Sequence, residues 1–154
     1  MRKSFCYTPF MKIYFAGSIR GGRDDTGLYA EVIKTLSSYG EVLTEHVGDK
    51  KLSVMGEEGP SDKDIHDRDL AWIKEADVVI AEVTTASHGV GYEIAKAEEW
   101  GKKILCIYRE QEGRRTSAMV AGSEKLEIKK YESLNDLKGM FTEFFRNQIR
   151  NERE

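Results

Sequence analysis

Asp77–Val83 reads DVVIAEV, a near-continuous β-branched run with no alternation of apolar and polar positions. A strand that is apolar on both faces must be covered on both, which is the environment of a central strand in a parallel sheet flanked by helices. The neighbouring segments support this. Met11–Ala16 (MKIYFA) is a short apolar run ended by Gly17-Ser18 and reads as a buried first strand. Asp24–Tyr39 carries Leu28, Val32, Thr35 and Leu36 at helical spacing, with Gly40 read as the helix stop. Glu41–Thr44 is a brief second strand, and His46–Gly59 a long polar surface loop. Ser61–Glu75 is a helix opened by Ser61 and Asp64 in capping-box spacing. After the central strand come a helix over Gly89–Trp100 stopped by Gly101, a strand over Lys103–Tyr108 and a polar loop over Arg109–Arg115. A short helix over Thr116–Ala121, a weaker strand over Lys125–Lys130 and an amphipathic helix over Leu134–Arg150 complete the chain. Strands alternating with helices predict a doubly wound, flavodoxin/Rossmann-like α/β domain with a five-stranded parallel sheet in the order 2-1-3-4-5.

At 154 residues the chain suits one domain, expected over 11–150, with Met1–Phe10 a loosely attached arm and Met11 a second candidate for the translation start. Apolar residues make up 40% and charged residues 33%, which favours a folded chain over a disordered one. Lys plus Arg (24) against Asp plus Glu (27) gives a net charge of −3, so the basic footprint of a nucleic-acid binder is missing. No apolar run is long enough to span a bilayer. The two cysteines, Cys6 and Cys106, lack metal-site spacing and suit a reducing cytoplasm, with Cys106 expected in the core.

In such a sheet, ligands bind beyond the carboxyl ends of strands 1 and 3. Gly17-Ser18-Ile19-Arg20-Gly21-Gly22-Arg23 follows strand 1, and Thr84-Thr85-Ala86-Ser87-His88-Gly89-Val90-Gly91-Tyr92-Glu93 follows strand 3. Glycines let backbone N–H groups approach a ligand, and a helix start attracts anions, so the two loops suggest a small phosphorylated ligand. Two ordinary turns with solvated arginines would give the same pattern. Neither loop is a P-loop or a full dinucleotide fingerprint, which disfavours triphosphate and dinucleotide chemistry. Glu93 lies one turn into the third helix, roughly 6 Å along the axis from Gly89. A phosphate at the helix start would leave a sugar carbon near its carboxylate; alternatively Glu93 forms a surface ion pair with Lys96 or Lys103. In the preceding acidic helix, Asp69 flanks the apolar face of Ile65, Trp72 and Ile73, while Asp64 and Asp67 face solvent. Asp64, His66 and Asp67 are more simply helix N-terminal charges than a metal cluster, so no metal is expected. His46 and His88 sit in candidate site loops.

The segments Tyr14–Arg23 (YFAGSIRGGR), Leu43–His46 (LTEH), Ile65–Leu70 (IHDRDL), Gly89–Glu93 (GVGYE) and Ser117–Met119 (SAM) occur in that order. In them the chain resembles the 2′-deoxynucleoside 5′-phosphate N-hydrolases of the nucleoside 2-deoxyribosyltransferase superfamily, from about Ile13 to Met119 and more loosely beyond. The resemblance implies Glu93 as nucleophile, Asp69 as the acid assisting departure of the base, and Tyr14 as the group orienting the nucleophile. It implies nucleotide contacts from Ser18, Ile19, Arg20, Gly21 and His46, and phosphate contacts from Ser87 and Gly89. Ser117 is implied to reach the phosphate from a neighbouring subunit, with Met119 near the base, so a homodimer with composite sites is expected. His88 is a departure, standing where the family carries an apolar residue beside the phosphate loop. The implied reaction releases a free base and 2-deoxyribose 5-phosphate through a glutamyl ester, without metal or organic cofactor. The competing readings are a nucleoside deoxyribosyltransferase, in which a second base replaces water, and a catalytically silent nucleotide-binding module.

Overall fold

The computed structural model describes residues 10–18, 26–48 and 56–151. Its strands are β1 (Met11–Ala16), β2 (Gly40–Val42), β3 (Val78–Glu82), β4 (Lys103–Tyr108) and β5 (Glu127–Lys130). Its α-helices are α1 (Thr26–Leu36), α2 (Asp62–Glu75), α3 (His88–Glu99), α4 (Ala118–Ala121) and α5 (Leu134–Asn151). All these strands pair in parallel, in the order β2-β1-β3-β4-β5. Ile13 stands opposite Val42 on one side and Val78 on the other, and Ile80 opposite Leu105. The expected sheet order is the observed one.

Side chains alternate across each strand, and this divides the core into two layers. Ile13 and Phe15 of β1, Ile80 of β3 and Leu105 of β4 point to one face, packing on Val32 and Leu36 of α1 and Phe141 and Phe144 of α5. Tyr14, Ala16, Val79, Ala81 and Cys106 point to the other, packing on Ile73 of α2 and on Val90, Ile94 and Ala97 of α3. Each fully buried aliphatic or phenyl side chain contributes roughly 1.5–3 kcal/mol relative to exposure. Cys106 is one of these apolar fillers; burial alone pushes its thiol pKa up to about 12, so it stays protonated. No helix among the described residues is long and apolar enough to cross a membrane.

Several boundaries differ from expectation for local reasons. α1 ends at Leu36, and Gly40 is the first residue of β2 rather than a helix stop. A Cβ at Gly40 would overlap the carbonyl of Met11, so the glycine permits strand pairing. Gly101, by contrast, has φ +67° and ends α3 as expected. β2 stops before Thr44 because the Thr44 hydroxyl substitutes for the backbone ladder. It donates to Phe15 O (2.7 Å) and accepts from Phe15 N (2.9 Å). The segment expected as a loop from His46 opens with a 3-10 turn, Glu45–Gly48, packed on α1. α2 starts with the expected capping box: Ser61 Oγ accepts from Asp64 N (3.1 Å), and Ser61 N donates to Asp64 Oδ2 (3.2 Å).

Candidate active site

Because Tyr14 points to the face that carries α2 and α3, it lies beneath the carboxyl-end crevice between β1 and β3. Its ring is 1% exposed, and its hydroxyl donates to Glu93 Oε1 at 2.6 Å. Glu93 therefore turns inward. The surface ion pair with Lys96 or Lys103 is not the arrangement observed: the Lys96 ammonium instead meets Glu99 at 2.8 Å. Glu93, Asp69, Ser87, Gly89 and His88 line one cavity of about 740 Å³, together with Ile65, Leu70 and Tyr92. That volume is in the range of small-molecule sites.

Burial pushes the Glu93 carboxyl up to about 8; the Tyr14 hydrogen bond opposes this and the negative charge of Asp69 adds to it. Asp69 is also raised, first by burial, with the Arg68 guanidinium pulling it back. Tyr14 is raised far above its ordinary value by burial and by the charges of Glu93 and Asp69, so its hydroxyl remains a donor. With Asp69 ionised nearby, the buried Glu93 carboxyl is harder to ionise. Tyr14→Phe removes the hydrogen bond that holds Glu93 down. Its carboxyl is expected to titrate at higher pH than in wild type, which carbon-detected NMR measures directly.

Ser87 caps α3, its Oγ accepting from Val90 N at 3.3 Å, so its own proton remains available at the helix start. Ser18 is fully buried at the end of β1, its backbone N–H donating to the Tyr29 hydroxyl (3.2 Å). Ile19, Arg20 and Gly21 lie outside the described residues. His46 sits in the 3-10 turn beside the cavity, 2.8 Å from Glu57 Oε1. Ser117 and Met119 do not join Glu93 within the chain. They line a neighbouring cavity of about 800 Å³ that shares Ala86, Ser87, His88 and Val90 with the first. Met119 is 86% exposed there. Asp64 is used in the α2 cap and Asp67 by Lys63 and His66; among the described residues no group of three or more such side chains is placed to hold a metal.

Two site residues went unassigned in the sequence. Arg68 binds both Asp69 and Glu57, and Glu57 lines the cavity. Arg68 carried a faint signal, an Arg-x-x-x-Trp spacing that places its guanidinium 4.6 Å from the Trp72 ring. Glu57, in an irregular segment, carried none.

The nucleoside 2-deoxyribosyltransferase family model matches residues 13–147, nearly the whole domain. The chain belongs to that family. Among its relatives there, it is 55% identical over 112 residues to the 5-hydroxymethyl-dUMP N-hydrolase of Mus musculus, covering 72% of this chain and 65% of that protein. It is 46% identical over 142 residues to the protein of the same name from Tetraodon nigroviridis, covering 90% and 99% of the two chains. A 2′-deoxynucleoside 5′-phosphate N-hydrolase described as putative, from Nematostella vectensis, is 50% identical over 140 residues, covering 87% and 93%. Among solved structures, the CMP N-glycosidase of Clostridium botulinum superposes with TM-score 0.62 at 19% identity, over 85% of this chain and 98% of that one. That likeness is one of fold.

Proposed function

We propose that this protein hydrolyses the N-glycosidic bond of 2′-deoxynucleoside 5′-monophosphates, with Glu93 as nucleophile and Asp69 as the acid that assists the departing base. The observation that carries the reading is the Tyr14–Glu93 hydrogen bond, 2.6 Å, on the wall that Glu93 and Asp69 share. The names of relatives covered over nearly their full length, N-hydrolases of deoxynucleoside monophosphates, support the same substrate class.

The ionised Glu93 carboxylate attacks C1′ as the C1′–N bond breaks, forming a deoxyribosyl ester through an oxocarbenium-like state. The bonding pair leaves with the base, and Asp69 supplies the proton that neutralises it. Water then attacks C1′, the ester C–O bond breaks, Glu93 leaves as carboxylate and the water's proton returns to Asp69. Two displacements at one carbon retain the anomeric configuration. Tyr14, still protonated, donates to the carboxylate in each of its free states. The absent 2′-hydroxyl helps, because no electron-withdrawing oxygen adjoins the developing cation. None of these steps requires a metal or organic cofactor. The N-terminus of α3, with Ser87 and Gly89, suits the 5′-phosphate, and the loop of Ser18, Ile19, Arg20 and Gly21 with His46 would complete the nucleotide contacts.

Base release from a panel of deoxynucleoside monophosphates, 5-hydroxymethyl-dUMP included, tests the reading. Release of base with equimolar 2-deoxyribose 5-phosphate is expected. Transfer of deoxyribose from unphosphorylated nucleosides to a second base would replace it with the transferase reading, and binding without turnover with the silent module.

We further propose a cytoplasmic homodimer in which Ser117 of each chain completes the phosphate site of the other. Its support is the separation of Ser117 from the Glu93 cavity within one chain, and the exposed Met119 beside it. Mixing Glu93→Gln with Ser117→Ala chains, each severely impaired alone, is expected to restore activity toward half of wild type per heterodimer. No recovery despite demonstrated subunit exchange would show that Ser117 acts within its own chain or not at all.

A further inference from the structure

We propose that Arg68 is the positioning residue for Asp69: it grips a single oxygen of that carboxyl, is itself held by Glu57, and leaves the second oxygen for the base of the substrate. The proposal rests on Asp69 being the acid of the reaction above. Arg68 Nε and Nη2 donate to Asp69 Oδ1 at 3.0 and 2.8 Å. Asp69 Oδ2 accepts no hydrogen bond among the described residues. The other side of the guanidinium is taken by a two-pronged contact: Nη1 donates to Glu57 Oε2 at 2.8 Å, and Nη2 to Glu57 Oε1 at 2.7 Å. Its centre lies 4.6 Å from the Trp72 ring. All three nitrogens are engaged, and the aromatic ring limits the remaining motion.

This is not the ordinary behaviour of neighbours on a helix. Side chains at i and i+1 point about 100° apart and do not normally pair. Arg68 reaches Asp69 where Glu57, outside α2, holds the guanidinium beside it. A planar fork bridging two carboxylates is a task that arginine performs and the point charge of lysine does not. A carboxyl that must hand a proton to one ring atom gains from having one oxygen tied down, because small misplacements are costly: an error of about 1 Å can cost on the order of 100-fold in rate.

Several charges bear on Asp69. His46 and Arg68 favour its ionised form, while Glu57 opposes it. Glu93, held by the protonated Tyr14, lines the same cavity, as do His66 and Tyr92. Arg68 is the strongest of the groups acting against burial. Its loss should therefore move the Asp69 titration to higher pH, with the pH limb of kcat that belongs to Asp69 following it.

The test uses the full chain and four variants: Arg68→Gln, Arg68→Lys, Glu57→Gln and Asp69→Asn. Carbon-detected NMR follows the Asp69 carboxyl, and kcat and KM are measured on a deoxynucleoside monophosphate that the wild type hydrolyses. In Arg68→Gln the Asp69 midpoint should rise and kcat fall by about 10–100-fold, with KM changed far less. Arg68→Lys should recover the titration more fully than kcat, since it keeps the charge and loses the fork. Glu57→Gln should lower kcat in the wild-type background and not in Asp69→Asn, because its effect passes through Asp69. If Arg68→Gln does not fold, the lysine and Glu57 variants decide the same question. An unmoved Asp69 midpoint, or losses that multiply with those of Asp69→Asn, would overturn the proposal. A wild type that hydrolyses no monophosphate would instead overturn the assigned reaction, leaving the titration to judge the clamp.

Discussion

Glu93→Gln is expected to lower kcat by roughly 10⁴-fold or more while leaving monophosphate binding measurable, because it removes the covalent nucleophile and keeps its shape. Single-turnover base release checks the rate and calorimetric titration the binding. Near-wild-type turnover would remove Glu93 from the chemistry. The same substitution has a signature in stability. Glu93 titrates near 8 in the folded protein, above the ordinary carboxylate value. The folded state thus holds this proton over a pH window in which the unfolded chain has released it. The stability it contributes is fully present below the unfolded pKa and is lost as pH rises through about 8. Glutamine mimics the protonated side chain and does not titrate. The Tm of Glu93→Gln relative to wild type should therefore grow from about pH 5 to about pH 8, by an amount corresponding to a few kcal/mol at most. A constant offset across that range would mean that burial does not raise Glu93 as described. A nucleophile that destabilises its own fold when charged is an instance of stability traded for function.

Asp69→Asn is expected to cost about 10²–10⁴-fold in kcat, the usual range for a positioned acid–base group. The loss should shrink as the leaving base becomes more acidic, because such a base departs without a proton. A series of 5-substituted deoxyuridine monophosphates measures this: the wild type should respond weakly to leaving-group acidity and the variant steeply. Parallel dependences would assign Asp69 to binding instead of proton transfer. Asp69 and Glu93 are thus separable by experiment although they share one cavity, since only the nucleophile is indifferent to the identity of the base.

The architecture was largely legible in the sequence because the signals that determine it are local. A run such as Val78–Ala81 has no polar face to expose, so it must be central. Strands separated by helices pair in parallel with right-handed crossovers, and few orders remain. The crevice then lies where β1 and β3 end, and helix geometry brings Glu93 and Asp69 toward it, whereas Tyr14 entered only through the family resemblance. Periodicity placed Glu93 one turn inside its helix, but it left inward and outward orientations open. What turned the carboxyl inward is the Tyr14 hydroxyl on the strand beneath, a contact between residues 79 positions apart.

What the chain pattern could not supply is contact between segments whose local signals are weak. Thr44 ends β2 by bonding to both backbone groups of Phe15, and no propensity announces that. Gly40 reads as a helix stop until β1 is laid against it. Glu57, in an irregular stretch, becomes the anchor of Arg68 only when that stretch lies over α2. By itself the sequence determined the alternation of strands and helices, the central place of the third strand and the kinds of group at the crevice, because burial and helix geometry act over a few neighbouring residues. Only the tertiary structure decided which carboxyl is bound by the tyrosine, which oxygen of Asp69 is tied, and that Ser117 lies apart from Glu93 within one chain. Those depend on where distant backbone segments meet, and short-range physics leaves that undetermined.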